Sequence, residues 1–366
     1  MSFNRGFLLM FSIVGILLCS AFAIKQKTDG TIILRDEKIN FTPREFYIAD
    51  VADERKDGSS VASLIAINPD HSTVNQKINL KDGAVVSVKQ FIARNLHRDT
   101  SLRPVMVTLK EFKITETKLP NGQVSGRLGI VFAFSLQASY RTIHLVDYTG
   151  GIRYTRRENS QVDIEAILRQ GIEGTLDFFN TWINSNVETN ALLAKVVKLR
   201  FADYTETPEG DTIYYSVKRP LIWADFKDRP RDGHFEAEIL PVIGYTEQNR
   251  VANGIIYVDM AIKVSVAKSD CWVKGLKDDY ILNHEQRHFD IEKIASEHYK
   301  KKLLSMKLPT DNFYGPINVE YLDALRDATR MQKQYDAETR HGEDRAAQAM
   351  WNEQIDKELR AFGVKK

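Results

Sequence analysis

Cysteine is scarce in this sequence: only Cys19 and Cys271 occur in 366 residues. Cys19 lies in an N-terminal apolar segment that we expect to be removed, so Cys271 would stand alone without an intramolecular disulfide. The fold must then depend on hydrophobic cores, and a chain of this length is expected to need two of them. The local sequence SDCWV predicts that Cys271 is a small buried residue and not a nucleophile.

An excess of charge is also lacking. The 51 Lys and Arg residues nearly balance 49 Asp and Glu, which leaves a formal charge of +2. The sequence has no cluster of basic residues of the kind that follows a phosphate backbone, so we expect no nucleic acid partner. Beyond the N-terminus no apolar run is long enough to span a membrane, so we expect no span in the mature chain. The sequence indicates no particular oligomeric state.

The N-terminus does carry a distinctive segment, MSFNRGFLLMFSIVGILLCSAFA. One early cation, Arg5, precedes a short apolar run and then Ala21-Phe22-Ala23, which is the order of a cleavable secretory signal. We therefore predict a signal peptide over residues 1–23 and a periplasmic or secreted protein. An uncleaved N-terminal anchor is the alternative.

The remaining pattern predicts two domains. Residues 24–203 alternate in the manner of a mixed α/β domain of envelope type, with helices near 83–96 and 163–186. In LPNGQ, Asn121-Gly122 predicts a primed hairpin turn. The looser stretch YTETPEGDT predicts a boundary near 204–212. Residues 212–366 then show several strands, expected as an antiparallel sheet, and three helices near 278–306, 317–338 and 343–361. The predicted class is α+β.

The first of these helices contains YILNHEQRHFDIEKI, with His284 and His288 four residues apart. Side chains at this spacing lie on the same helix face, so both imidazoles can bind one metal ion. Glu285 follows the first histidine, where a carboxylate can reach a metal-bound water without occupying the metal. The pattern predicts Zn²⁺, with Glu285 as general base.

Three blocks resemble the bacterial DUF922 family, a domain of unassigned function grouped with zincin-like metallopeptidases. They are RPLIWADF with its Trp-x-Asp-Phe strand, the segment from SDCWV through HEQRHFDI, and YDAETRHG. Together they cover about residues 211–360. The resemblance implies a zincin-like domain with a metal site, but no particular substrate.

A third ligand has to come from elsewhere in the chain. We expect His341, which Gly342 would place at the end of a returning helix. Glu320 and Glu292 are the alternatives. Asp336 and Glu338 could orient the imidazole of His341, and Tyr335 could donate a hydrogen bond to the oxyanion of the reaction.

The sequence thus predicts an exported zinc-dependent hydrolase, most specifically a peptidase. Its substrate would be a protein or peptide, with a peptidoglycan peptide as one option. The alternative hypothesis is a non-catalytic envelope binding or assembly protein whose zincin-like domain is structural. The large N-terminal half without a catalytic signature motivates this alternative.

Overall fold

The computed structural model describes residues 31–365 except 59, 69–71, 139–140, 205–209, 232–235 and 276. The predicted signal peptide lies outside these residues. The chain forms two compact units, Met1–Val187 and Glu188–Lys366. Their mixture of helices and sheets confirms the predicted α+β class. No helix in the described part is long and apolar enough to cross a membrane.

The N-terminal unit contains a seven-stranded sheet and two helices. Its elements are β1 (Thr31–Ile32), β2 (Phe46–Asp53), β3 (Ala62–Ile67), β4 (Thr73–Leu80), α1 (Ala84–Asn95), β5 (Arg103–Lys118), β6 (Gln123–Gln137), β7 (Thr142–Arg157) and α2 (Ile164–Asn186). The strand order is β1-β4-β3-β5-β6-β7, and β2 pairs with β5. Long antiparallel pairings of β5 with β6 and of β6 with β7 form the centre.

Helix α2 shows why this unit folds as the sequence predicts. Asp163 caps the helix by accepting a hydrogen bond from the Ala166 amide at 3.1 Å. The apolar face is fully buried, and Phe179 stacks on Phe134 of β6 with ring centroids 4.1 Å apart. A Cβ on Gly171 would lie 2.6 Å from Leu128, so glycine permits this close contact between helix and sheet.

The turn between β5 and β6 differs from the prediction. Among the turn residues only Gly122 has a positive φ, at 76°, whereas a primed turn requires it at Asn121 as well. Pro120 explains the difference, because its fixed φ suits the second position of an ordinary turn. The Gly122 amide closes this turn on the Leu119 carbonyl at 3.1 Å.

The C-terminal unit places a four-stranded sheet beside three helices. Its main elements are β8 (Val196–Asp203), β9 (Thr212–Tyr214), β10 (Ala237–Glu238), β11 (Val242–Ala252), β12 (Ile255–Ala267), β13 (Trp272–Val273), α3 (Asp279–Leu304), α4 (Tyr314–Thr339) and α5 (Arg345–Ala361). Strand β12 lies between β11 and β8 and also pairs with β9, while β10 pairs with β13. Every second residue of β12 is buried, which gives the sheet one core face.

Three predictions for this unit need correction. The boundary lies between residues 187 and 188, earlier than 204–212, because β8 pairs with β12 and so belongs to the second unit. That pairing is parallel, so the sheet is not wholly antiparallel. The Trp-x-Asp-Phe segment is a 3-10 turn, Trp223–Asp225, and not a strand. Its Asp225 carboxylate binds Arg219 and the Ile222 amide.

Helix α3 is covered on two sides. Phe289, Tyr299 and Leu303 belong to the core that contains the buried residues of β12. Ile291 and Ile294 belong to a second core, which they share with residues of α4 and α5. Because α3 lies between the sheet and the other helices, polar side chains along it are buried and must be satisfied within the protein.

Candidate metal centre

The histidine block lies in α3, as the sequence predicts. Asp278 caps the helix by accepting a hydrogen bond from the Ile281 amide at 2.8 Å. His284 and Glu285 are buried, with 6% and 3% of their surface exposed, and the His288 side chain is 13% exposed. The two imidazoles point toward α4 and α5, whose residues make their contacts.

Three residues bring potential ligand atoms together: His284, His288 and Asp336 of α4. Asp336 Oδ1 lies 3.0 Å from His288 Nε2 and 3.4 Å from His284 Nε2, and the two Nε2 atoms are 3.3 Å apart. Ligands about 2.0–2.1 Å from a tetrahedral zinc ion are about 3.3 Å from one another. The spacing of the three atoms therefore fits a single metal ion.

Two glutamines fix the tautomers of the histidines. His284 Nδ1 lies 2.8 Å from Gln348 Oε1, and His288 Nδ1 lies 2.5 Å from Gln332 Oε1. An amide oxygen can only accept, so each Nδ1 carries a proton and Nε2 is the ring nitrogen left to face the metal. Gln332 is oriented by its own Nε2, which donates to the His288 carbonyl and to Glu292. Both imidazoles are thus prepared to bind a metal through Nε2.

The oxygen of Asp336 gives a second test of the fit. Asp336 Oδ1 is buried, and its close polar neighbours are the imidazole nitrogens of His284 and His288. A buried carboxylate oxygen is costly unless a cation, either a protonated imidazole or a metal ion, completes its surroundings. The donor set of two imidazoles and one carboxylate is one that zinc accepts. The residues present therefore fit the ion that the sequence predicts.

The electrostatics of the group lead to the same interpretation. Burial lowers the pKa of His288, but the Asp336 carboxylate and Glu285 outweigh it and raise this pKa to about 9. Burial also raises the pKa of Asp336, but the rings of His284 and His288 outweigh it and hold this pKa well below its usual range. Without a metal, a proton on His288 balances the carboxylate, so a metal ion must displace that proton.

Glu285 is a buried acid beside this group. Its Oε2 atom accepts no hydrogen bond from the described residues. Burial raises the pKa of Glu285, while His288 and His284 partly oppose that shift. A carboxyl group with a raised pKa holds a proton more readily than an ordinary one, which suits a general base that has to take a proton and return it.

His341, the predicted third ligand, lies next to the group but is not part of it. Its Nδ1 is 3.5 Å from Asp336 Oδ1, and its side chain is 46% exposed. Only His284, His288 and Asp336 have ligand atoms that all lie within 4.8 Å of one another among the described residues. The helix ends before Gly342: α4 stops at Thr339 with Arg340 as its left-handed C-cap, His341 also has a positive φ of 54°, and Gly342, at φ 86°, packs against the His284 ring. The third donor is therefore Asp336, which the sequence suggested only as an orienting residue.

Tyr335 does not have the position that an oxyanion donor needs. Its ring is fully buried and stacks on the His284 ring, with centroids 4.8 Å apart. Its hydroxyl donates to the His284 carbonyl at 3.3 Å and accepts from Gln348 Nε2 at 2.6 Å. These contacts hold the hydroxyl inside the helical core, where it supports Gln348 and His284.

The two glutamates considered as alternative ligands also lie elsewhere. Glu292 Oε2 accepts a hydrogen bond from Gln332 Nε2 at 3.2 Å and so supports His288 indirectly. Burial raises the pKa of Glu292 to about 7, against the opposing effect of Gln332. Glu320 is sixteen residues before Asp336 on α4, a distance of about 24 Å along a straight helix. It is too far away to complete the group.

The signal for Asp336 was present in the sequence. It lies in YDAETRHG, the block that was expected to supply the third ligand, but a histidine in the same block competed with it. Gln332 and Gln348 carried no signal, since a glutamine in an amphipathic helix usually indicates a solvated position. No family model, curated protein or solved structure matches the chain.

Proposed function

We propose that this chain is an exported zinc-dependent hydrolase, and specifically a peptidase. The observation that carries the proposal is the spacing of His284 Nε2, His288 Nε2 and Asp336 Oδ1, which are 3.0–3.4 Å from one another. Both Nδ1 atoms are already committed to glutamine oxygens. The signal-like residues 1–23 support export, to the periplasm or outside the cell.

The chemistry follows from the donors and from Glu285. A zinc ion held by His284, His288 and Asp336 would lower the pKa of a water molecule to about 7 and polarise a substrate carbonyl. Glu285 takes the proton of the water as its oxygen forms a bond to the carbonyl carbon. The protonated Glu285 then gives this proton to the leaving nitrogen as the C–N bond breaks. One water is consumed, and an acid and an amine are released.

Metal analysis of the purified chain tests the centre. We expect about one zinc per chain and a loss of zinc in His284→Ala, His288→Ala and Asp336→Ala. His341→Ala should keep its zinc, because that imidazole lies outside the three-donor group. A wild-type protein without stoichiometric zinc would refute the proposal. A loss of zinc in His341→Ala but not in Asp336→Ala would mean that His341 is the third ligand.

Activity has to be tested separately from metal binding. Peptides and peptidoglycan fragments would be incubated with the wild type and with Glu285→Gln, and the products separated by mass. The proposal expects cleavage by the wild type and almost none by the variant at equal zinc content. Equal cleavage by both proteins would rule out Glu285 as the base.

A non-catalytic envelope binding or assembly protein is the second candidate. It is favoured by the separate N-terminal unit, in which no metal-binding group occurs among the described residues. For this candidate, Glu285→Gln would leave the role in the cell intact. Complementation of a deletion strain by Glu285→Gln therefore separates the two functions.

A further inference from the structure

Helices α3 and α4 run antiparallel, so the metal centre occupies only one end of the pair. At that end Gln332 contacts His288. At the other end, the Tyr299 hydroxyl donates to the Ile317 carbonyl at 3.4 Å. There a cavity of about 700 Å³ opens between residues 295–305 and residues 320–327, which we call the α3–α4 groove. This volume is typical of small-molecule sites in proteins.

The floor of the α3–α4 groove is buried and its walls are charged. Ala295, Tyr299 and Ala324 form the floor, with between 1% and 7% of their surface exposed. The α3 wall is basic and the α4 wall is mainly acidic. The charged lining residues are His298, Lys301 and Lys302 on α3 and Glu320, Asp323, Arg326 and Asp327 on α4.

Several of these residues pair with neighbours that do not lie on the opposite wall of the groove. Arg326 pairs with Asp323 at 2.5 Å, and Arg330 lies 3.4 Å from Asp327. His298 Nε2 lies 3.1 Å from Glu358 Oε1. These pairs leave the lysines and Glu320 as the unmatched charges of the groove.

Lys301, Lys302 and Glu320 have no ion-pair partner anywhere in the described part of the chain. The lysines lie in the last turn of α3, where they complement the helix dipole. That position leaves their ammonium groups available to a ligand. Opposite charges thus line the two sides of one groove without reaching each other.

We infer that the α3–α4 groove binds a short zwitterionic peptide. Its carboxylate would lie at Lys301 and Lys302, and its terminal ammonium would lie at Glu320. An anionic ligand would meet the charge of Glu320 without compensation, and a cationic one would meet the lysines. A ligand with both charges satisfies both walls, and the small apolar floor suits small side chains.

This inference does not depend on the metal centre. A short peptide with free ends is also what a peptidase releases, so the groove would hold product-like molecules away from the histidines. To keep the two proposals separate, binding is measured on the full chain carrying Glu285→Gln. In that variant the proposed hydrolysis cannot consume the probe.

The probes are tri-alanine, N-acetyl-tri-alanine, which lacks the cationic end, and tri-alanine amide, which lacks the anionic end. Isothermal calorimetry should show that tri-alanine binds at least about tenfold tighter than either blocked form. Replacing both lysines, in Lys301→Gln/Lys302→Gln, should remove the preference for tri-alanine over its amide. Glu320→Gln should remove the preference for tri-alanine over its acetylated form.

Matched controls use exposed residues of the same type outside the groove. Lys307→Gln and Glu353→Gln should leave both preferences unchanged. The inference is wrong if tri-alanine does not bind up to about 10 mM, or if the blocked forms bind as tightly. It is also wrong if the control variants change the preferences as much as the groove variants do. Circular dichroism checks that each variant is folded.

Discussion

Buried Glu116 of the N-terminal unit has a full set of hydrogen-bond donors, whereas Glu285 and Asp336 of the C-terminal unit do not. In the first, Glu116 accepts hydrogen bonds from Arg156, the Tyr154 hydroxyl and the Ile65 amide, all at 2.7–2.8 Å. Burial raises the pKa of Glu116, but Arg156 and the other donors outweigh it and lower this pKa. In the second, Glu285 Oε2 accepts no hydrogen bond from the described residues, and Asp336 Oδ1 has imidazole nitrogens as its close polar neighbours.

The difference distinguishes a carboxylate that holds the fold from one that is free to take the role we propose for it. Contact with Arg156 stabilises the charged form of Glu116, so this carboxylate stays ionised near neutral pH. Glu285 has no such partner, and Asp336 Oδ1 lies within 3.4 Å of the Nε2 atoms of His284 and His288. Incomplete polar groups are costly in a core, and they persist where a ligand or a reaction uses them.

Glu285→Gln tests the catalytic side of this comparison and has the largest expected effect. Glutamine keeps the shape but cannot accept the proton of the attacking water, so the hydrolysis rate should fall by about 10²–10⁴-fold. Stability should not fall, because the change removes a buried charge that has no arginine partner. Rates at equal zinc content and urea unfolding of the same samples provide both measurements. A variant that unfolds more easily than the wild type would mean that Glu285, like Glu116, stabilises the fold.

Glu116→Gln tests the structural side. The change leaves Arg156, whose side chain is 10% exposed, without its counter-charge, and this should cost about 3–5 kcal/mol. Denaturant unfolding measures the loss, while the zinc content should stay at the wild-type value. Lys110→Gln, which removes an exposed pair with Asp147, is the control and should cost below about 1 kcal/mol. Equal losses in both variants would contradict the special role of Glu116.

Gln348→Leu tests whether the glutamines prepare the histidines. Leucine cannot accept a hydrogen bond from His284 Nδ1, so the ring is free to change its tautomer. Zinc affinity should fall by about 10–100-fold, which is the usual effect of removing such a supporting contact. Gln334→Leu provides the matched control, because among the described residues this glutamine side chain hydrogen-bonds Glu338 alone. If Gln334→Leu weakens zinc binding equally, the effect is one of helix stability.

The sequence predicted the helices better than the centre they form. The spacing of apolar residues marks α3, α4 and α5, because this signal is local. The choice of Asp336 over His341 depends on how α4 packs against α3, which no local signal encodes. Trp223–Asp225 failed for a related reason, since Arg219 and a backbone amide fold that segment around the Asp225 carboxylate.

The prediction most specific to His288, and the most gradual across conditions, is the dependence of zinc binding on pH. Its pKa of about 9 in the folded, metal-free protein means that the ring is protonated at neutral pH. Zinc must displace this proton, so affinity should rise about tenfold per pH unit up to about pH 9 and then level off.

The same shift has the opposite sign for the stability of the metal-free protein. A raised histidine pKa contributes stability that is complete below the unfolded value of about 6.5 and is lost as pH rises through about 9. Between these values the metal-free chain should become easier to unfold while the zinc-bound chain becomes harder to unfold. Urea unfolding with and without zinc at pH 6, 7.5 and 9 measures both trends. A small chelator in the same buffers controls the concentration of free zinc. Parallel curves for the two forms would mean that His288 and Asp336 do not hold the ion together.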